Sequence, residues 1–354
     1  MVKIITDTGD GSRLELSLED LKKDIADGSQ EAAKKAKIDP LSAEDAEALA
    51  EIFLEPGKLT CVKPGSEIVT TDDGGAMLCY LDNTNGGASL PMSPTLSSQA
   101  FERMCAPDSI SMGFSDYSCR PMKPVIEHLR TEYFSTSQLT TAPLYYGFQP
   151  NLGLYFQPVG PFPNHFQLMQ DGKIKEAQAA QEDAARALAE DILFVATKLY
   201  EVGLEGINLD TSGSYGDPDL LGALEGCEAV KKVYPDLPVE MGFAGEYIMG
   251  MNGKMSYKGT RLAGVYPHQQ VELAAAAGAS IVGLAVNSST GKSTPWNLAR
   301  TITFVKAASQ VSTIPIHANV GMGVCGLPMD ITPDIGSATR CSKALVEIAK
   351  IDGL

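Results

Sequence analysis

Leu204-Glu-Gly-Ile-Asn-Leu-Asp210, Leu237-Pro-Val-Glu-Met-Gly-Phe243, Ala279-Ser-Ile-Val-Gly-Leu-Ala-Val286 and Ile314-Pro-Ile-His-Ala-Asn319 decide the fold. Each run is short, apolar and partly β-branched, the pattern of a strand buried on both faces. Between the runs lie helix-length segments that open with proline behind a polar residue, at Asp217-Pro218, Tyr266-Pro267, Thr294-Pro295 and Thr332-Pro333, where the missing N–H costs nothing. Gly203 and Gly278 stand where helices should end, since a left-handed cap needs no Cβ. Strands alternating with helices of this length give βαβ units and a parallel sheet.

Working outward, Ala142-Pro-Leu-Tyr-Tyr-Gly-Phe-Gln149 begins the series and Ile351-Asp-Gly-Leu354 closes it. Strands are expected near 143–148, 205–210, 237–243, 279–286, 314–319 and 351–354. The fold class is α/β, a (β/α)8 barrel with about six of its eight strands present and incomplete at the C-terminus. The chain is expected to divide into an N-terminal region of helices and a small hairpin over 1–140 and the barrel over 141–354. A helix at about 335–350 carries Ile335, Ala338, Cys341, Leu345 and Ile348 on one face. It needs a following strand, of which 351–354 is the start.

Composition narrows the class. With 354 residues and 44% hydrophobic content the chain can bury one large core and a smaller region, which excludes a disordered or fibrous protein. A formal net charge of -16 argues against nucleic acid and anionic membranes, both of which need clustered Lys and Arg. Seven cysteines without a C-x-x-C pair point to reduced thiols in a cytoplasmic protein. The start Met1-Val-Lys-Ile-Ile-Thr6 is too short and too quickly polar for a signal peptide, and no run approaches membrane-spanning length.

Residues 1–58 are expected to be helical, with Ser17 and Ser42 as caps, each followed by an aspartate three residues on, a relaxed capping box. Over 59–62, 67–70 and 76–81 the period shortens to that of strands, with turns at Lys63-Pro-Gly-Ser66 and Asp72-Asp-Gly-Gly75. Loops follow over 82–91 and 114–124, the second with Arg120 and Lys123. The aromatic, proline-rich stretch from Gly147 to Pro163 is expected over the barrel mouth as a rim or lid. Ile174, Ala177, Ala184, Leu188, Ile192, Val195 and Leu199 recur at helical spacing.

In a barrel, the loops after strands carry the chemistry, so the candidates stand at the carboxyl ends of the runs. Glu246, Glu240, Asp210 and His317 are the candidate catalytic residues, with Asn287, Tyr146 and Gln149 as substrate-binding residues. Converging carboxylates suit a cation and can raise one pKa into the acid-base range; a structural ion pair for Glu240 is an equally good reading. Ser288-Ser-Thr-Gly-Lys-Ser-Thr294 lacks the leading glycine of a phosphate loop, because position 286 is Val286. Lys292 is then an anion site or a solvated lysine. His317 has no second ligand at metal spacing, so no metal is expected, and Cys325 has no paired base to make it a nucleophile.

Several words carry a resemblance: Gly206-Ile-Asn-Leu-Asp-Thr-Ser-Gly213, Phe243-Ala-Gly-Glu246, Tyr266-Pro-His-Gln-Gln270, Trp296-Asn-Leu-Ala-Arg300, Gly321-Met-Gly-Val324 and Ala349-Lys-Ile-Asp-Gly-Leu354, with Pro121-Met-Lys-Pro124 and Asn151-Leu-Gly-Leu-Tyr155 upstream. Together they resemble the dimethylamine:corrinoid methyltransferases of methylamine-using methanogens, archaea, over nearly the whole length. The resemblance implies methyl transfer from dimethylamine to the Co(I) of a cognate corrinoid protein. The corrinoid (cobalamin) is carried by that partner and no cofactor is bound directly; self-association into a homo-oligomer stays open. In the resembling family pyrrolysine, read from an in-frame amber codon, follows the position of Leu354. The resemblance therefore implies that the sequence stops at that codon; the apolar strand edge that such a stop leaves at 351–354 is expected to make the short product poorly soluble, and without the missing residue it is expected to be inactive until read through. Two other readings compete: a barrel enzyme acting on another small amine or acid without corrinoid, and a non-catalytic paralogue that binds the corrinoid protein.

Overall fold

The computed structural model describes residues 3–57, 59–63, 65–66, 145–148, 150–251, 253–330 and 333–354. The architecture is mixed α/β around a parallel sheet. The chain divides into two compact units, one formed by 143–285 and 310–316, the other by 1–142, 286–309 and 317–354.

The first unit holds most of the sheet. Its strands are β3 (Tyr145–Phe148), β4 (Gly206–Ser212), β5 (Val239–Phe243) and β8 (Ile281–Leu284), and β9 (Ile316–Ala318) completes the order β3-β4-β5-β8-β9. The pairings of β3 with β4, β4 with β5 and β5 with β8 are all parallel. The boundary between the units falls inside β9, after Ile316. Five of the six expected runs are therefore strands, trimmed where sequence dictates. β5 starts after Pro238, which has no N–H to donate to a ladder. The sixth expectation is corrected: 351–354 contributes a single parallel bridge, His317 with Gly353, instead of a strand.

Two-residue periodicity sorts the side chains of the sheet. Ile207, Leu209, Val239, Met241 and Val282 are fully buried on one face. Helices α3 (His165–Gln170) and α4 (Ile174–Tyr200) follow β3, α5 (Asp217–Val233) follows β4 and α6 (Pro267–Ala277) follows β5. α4 is the expected amphipathic helix, burying Ala177, Ala184, Leu188 and Ile192, although Ile174 is exposed. Its close approach to α5 depends on Gly222, where a Cβ would stand 2.8 Å from Ala185 O. Pro267 begins α6 and Pro218 is the second residue of α5, behind a cap at Gly216, and Gly278 caps α6 in the left-handed region. A short two-stranded ribbon, β6 (Ser256–Tyr257) with β7 (Thr260–Arg261), lies between β5 and α6.

The second unit opens on an element that the helical expectation for 1–58 missed. β1 (Ile4–Asp7) pairs antiparallel with β2 (Arg13–Leu16), with Ile4 opposite Leu16. Both of those residues are buried. The expected helices follow as α1 (Leu18–Ala36) and α2 (Ala43–Leu54), and both carry complete capping boxes, Ser17 with Asp20 and Ser42 with Asp45. Residues 59–62 form no strand. The amide of Thr60 donates to Thr339 Oγ1 and Val62 is buried. The strands expected at 67–70 and 76–81, and the loops at 82–91 and 114–124 with Arg120 and Lys123, lie outside the described residues.

α7 (Thr294–Val311) and α8 (Ile335–Ala344), the latter continued by a π-helical turn over Leu345–Ala349, complete this unit. α8 does not start on Pro333. Asp334 is the cap, accepting from the amide of Ser337, because a carboxylate can hold a free first-turn N–H and a proline ring cannot. In α7 the Arg300 side chain is 7% exposed. Its Nε donates to Glu31 Oε2 at 2.8 Å and its Nη1 to Asn287 O at 3.1 Å. Burial pushes the Glu31 carboxyl up, but the Lys35 and Arg300 charges outweigh it and hold the pKa below the usual range. Replacing Arg300 by Met keeps the apolar stem and removes the donors to Glu31 and Asn287, which should cost about 2 kcal/mol. The denaturant midpoint reads this loss, and an unchanged midpoint would show that the clasp contributes nothing.

Candidate active site

The first unit assembles a polar row on the sheet face opposite the buried apolar residues. Asn208 is the register partner of Gly147 on one side and of Glu240 on the other. Glu240 in turn lies opposite Ile281, and Gly242 opposite Gly283. Asp210 shares the parity of Asn208 and completes the next layer toward the carboxyl ends of the strands. In that layer β5 and β8 contribute only glycines, Gly242 and Gly283. A methyl group on Gly242 would stand 3.1 Å from Asp210 Oδ1 and 3.7 Å from Asn208 Oδ1.

A bulge aims this carboxylate. The register runs from Leu209 opposite Met241 to Ser212 opposite Phe243, so Asp210 and Thr211 together face the one residue Gly242. Thr211 takes φ +54, which a β-branched residue adopts only where its surroundings impose it, and such strain clusters at functional sites. The Thr211 amide donates to Asp210 Oδ1 at 2.7 Å, and Ser212 Oγ donates to Leu209 O at 2.9 Å. Asp210 and Glu240 are half-buried.

Two fully buried carboxylates from the first turn of α5 fasten the loops after β4 and β5. Asp219 Oδ2 accepts from the amide of Gly213 at 2.9 Å, and Asp217 accepts from the amides of Met251 and Met255. Burial pushes the Asp219 carboxyl up to about 6, against the pull of the amides of Gly213, Tyr215, Leu152 and Ser214. Tyr215, in the same loop, meets His165 Nε2 at 3.0 Å, and His165 Nδ1 meets Gln181 Nε2 at 2.9 Å. With the amide donating to Nδ1, the imidazole carries its proton on Nε2; burial lowers its pKa and keeps it neutral. Phe156 is buried against His165, ring centroids 4.4 Å apart, with Tyr215 stacked beside it. The aromatic stretch expected as a rim thus packs on the loop after β4.

Glu246 lies in the loop after β5 and is 4% exposed; its neighbour Gly245 accepts from Gln270 Nε2 at 3.0 Å. The β3 register puts Gly147, and not Tyr146, opposite Asn208. Gln149 lies outside the described residues. The surface depression lined by Gln157, Pro158, Asn164, Phe166, Gln167 and Gln170 holds no ionisable group, so it offers no acid-base chemistry.

The remaining candidates belong to the second unit. His317 is 4% exposed and bridges Gly353, whereas Asn287 is exposed and bridges Val324. Cys325 is fully buried at φ +51, its amide donating to Val286 O at 2.8 Å. The loop that looked like a phosphate cradle has a structural explanation. Ser293 Oγ donates to Asp24, Thr294 Oγ1 donates to Asp7 O, and Lys292 lies over the Trp296 ring at 5.3 Å. Asn297 holds the loop together, accepting from the amide of Ser289 and donating to the carbonyls of Ser289, Lys292 and Ser293.

Sequence reasoning missed Asn208. It is 3% exposed and its Oδ1 has no hydrogen-bond partner among the described residues. Leaving a buried acceptor unmet costs on the order of 1–3 kcal/mol. The available signal was a polar residue of the same parity as Asp210 inside an otherwise apolar run.

Among the described residues no group of three or more His, Cys, Asp or Glu side chains is arranged to hold a metal ion, and no helix is long and apolar enough to cross a membrane. Asp210, Glu240 and Asn208 thus place two carboxylates and one unmatched amide oxygen on one face of β4 and β5. Compared with known proteins, the chain matches the model of the dimethylamine methyltransferase family over residues 3–354. No solved structure matches it.

Proposed function

The chain belongs to the dimethylamine methyltransferase family, and on that premise we propose that it moves a methyl group from dimethylamine to the Co(I) of a cognate corrinoid protein in the cytoplasm. Monomethylamine is the other product, and the reaction serves methanogenesis from methylamines. The observation that carries the reading is the acidic sheet face around Gly242. With a pKa near that of lysine, about 10.4, dimethylamine is a cation at neutral pH, and Asp210 and Glu240 supply the negative charge to hold it.

In the resembling family the residue after the position of Leu354 is pyrrolysine, whose imine adds an amine covalently. The residues of this chain have three tasks around such a group. Asp210, fixed by the Thr211 bulge, binds the ammonium and orients one N–H. Glu240 or Glu246 takes the proton that the ammonium must lose before its nitrogen can act as a nucleophile. The glycines opposite Asp210 keep the layer open for the methyl groups, and the fixed loop after β4 holds the geometry, a positioning effect worth several kcal/mol.

Protein purified from its native host, mixed with dimethylamine and the cognate corrinoid protein reduced to Co(I), is expected to give the absorbance of methylated cobalt. No such signal with a partner competent in other methylations would sink the reading.

A further inference from the structure

We infer that Asn208 is a substrate-binding residue that selects secondary over tertiary ammonium ions. The inference takes the alkylammonium substrate from the function proposed above, but it does not depend on methyl transfer.

Asn208 and Asp210 share a face of β4, and between them and β5 lies the missing side chain of Gly242. The three heavy atoms nearest to a Cβ at Gly242 would be Asp210 Oδ1 at 3.1 Å, Asp210 Cα at 3.5 Å and Asn208 Oδ1 at 3.7 Å. Two oxygen acceptors of different charge thus border one spot. Asn208 is 3% exposed as a residue, and its buried Oδ1 is unmatched among the described residues. Buried polar groups are almost always paired, so an unpaired one aimed at a binding face calls for a donor from the ligand.

A dialkylammonium ion has two N–H groups at the tetrahedral angle. One can meet the Asp210 carboxylate and the other the Asn208 carbonyl, with both methyl groups turned toward the glycine layer. A trialkylammonium ion has one N–H and leaves one acceptor unmet. A tetraalkylammonium ion has none. Charge alone, the contribution of Asp210 and Glu240, attracts all three alike. Sites built to bond a donor reject analogues lacking it, and that discrimination falls to Asn208.

Calorimetric titration of the full chain with dimethyl-, trimethyl- and tetramethylammonium chlorides at pH 7 tests this without turnover. The wild-type protein should bind dimethylammonium about fivefold to tenfold more tightly than trimethylammonium, and tetramethylammonium most weakly. Asn208→Leu should bring the first two within about twofold of each other, whereas Asn208→Asp, which keeps an acceptor, should retain the preference. Equal wild-type affinities for the first two ions overturn the inference. So does a preference that survives in Asn208→Leu, or failure of all three ions to bind. If Asn208→Leu does not fold, the wild-type series together with Asn208→Asp decides. A preference that depends on Asn208, in a protein that methylates no corrinoid, upholds the inference and removes the proposed reaction instead.

Discussion

Replacing Asp210 by Asn is expected to lower kcat/KM for dimethylamine by a factor of about 10²–10³ while leaving the fold intact. The magnitude is that of removing one fixed electrostatic partner of a transition state. Asparagine keeps the acceptor that meets the Thr211 amide at 2.7 Å, so the bulge survives and only the charge is lost. The loss should appear mainly in KM if Asp210 binds the ammonium equally in ground and transition states, and in kcat if it acts when the nitrogen becomes a nucleophile. Steady-state kinetics with saturating corrinoid protein, beside circular dichroism of the variant, separates these outcomes. An Asp210→Asn protein within threefold of the wild type would remove this carboxylate from the mechanism.

The second large effect is on stability and runs opposite to the usual behaviour of carboxylates. Burial raises the Asp219 carboxyl from 3.8 to about 6, so between those values the folded protein holds a proton that the unfolded chain has released. The unfolded state then binds fewer protons, and stability falls as pH rises. This contribution is fully present below about pH 4, is lost as pH rises through about 6, and amounts to about 3 kcal/mol for a shift of this size. Other carboxylates act in the opposite sense: ion pairs or hydrogen bonds lower the pKa of Glu31, Asp45 and Glu55 despite their burial. The quantity to measure is therefore the difference in unfolding free energy between wild type and Asp219→Asn across pH 3–8. That difference should shift in favour of the variant by about 3 kcal/mol between the two ends. A flat difference would mean that Asp219 is charged at no cost.

What could be read from the sequence followed from local rules. β-branched runs spaced by proline-started helices give the parallel strands, and Ser17 and Ser42 announce their helices because a cap and its third residue lie within one turn. What could not be read depends on residues distant in sequence. The missing leading glycine already tells against a phosphate cradle at Ser288–Thr294, but what the loop does instead shows only where Asp7, Asp24 and Asn297 occupy its hydroxyl and backbone groups. The left-handed Thr211 leaves no trace in composition, since glycine or asparagine would be the expected choice there. Asn208 was hidden by its setting, because an apolar run invites the assumption that every member packs. The N-terminal hairpin was legible, with Gly9-Asp-Gly11 between two alternating stretches, but the charged helices behind it dominated the reading. Asp210 and Glu240 could be picked out from the sequence because each is a carboxylate within or closing an otherwise apolar run, where burying a charge is costly unless it is paired.

The amide of Asn297 gives the second unit a chemical lifetime as well as a shape. Its nitrogen donates to three carbonyls, those of Ser289, Lys292 and Ser293, while its oxygen accepts from the Ser289 amide. Hydrolysis of that amide to a carboxylate would replace a donor by an acceptor and set negative charge against all three carbonyls at once. Asn297 stands 2% exposed in the first turn of α7, where helical backbone geometry keeps the following peptide nitrogen from attacking the side chain. The same placement that lets one residue close the loop also shields it from the slow ageing to which exposed asparagines are subject.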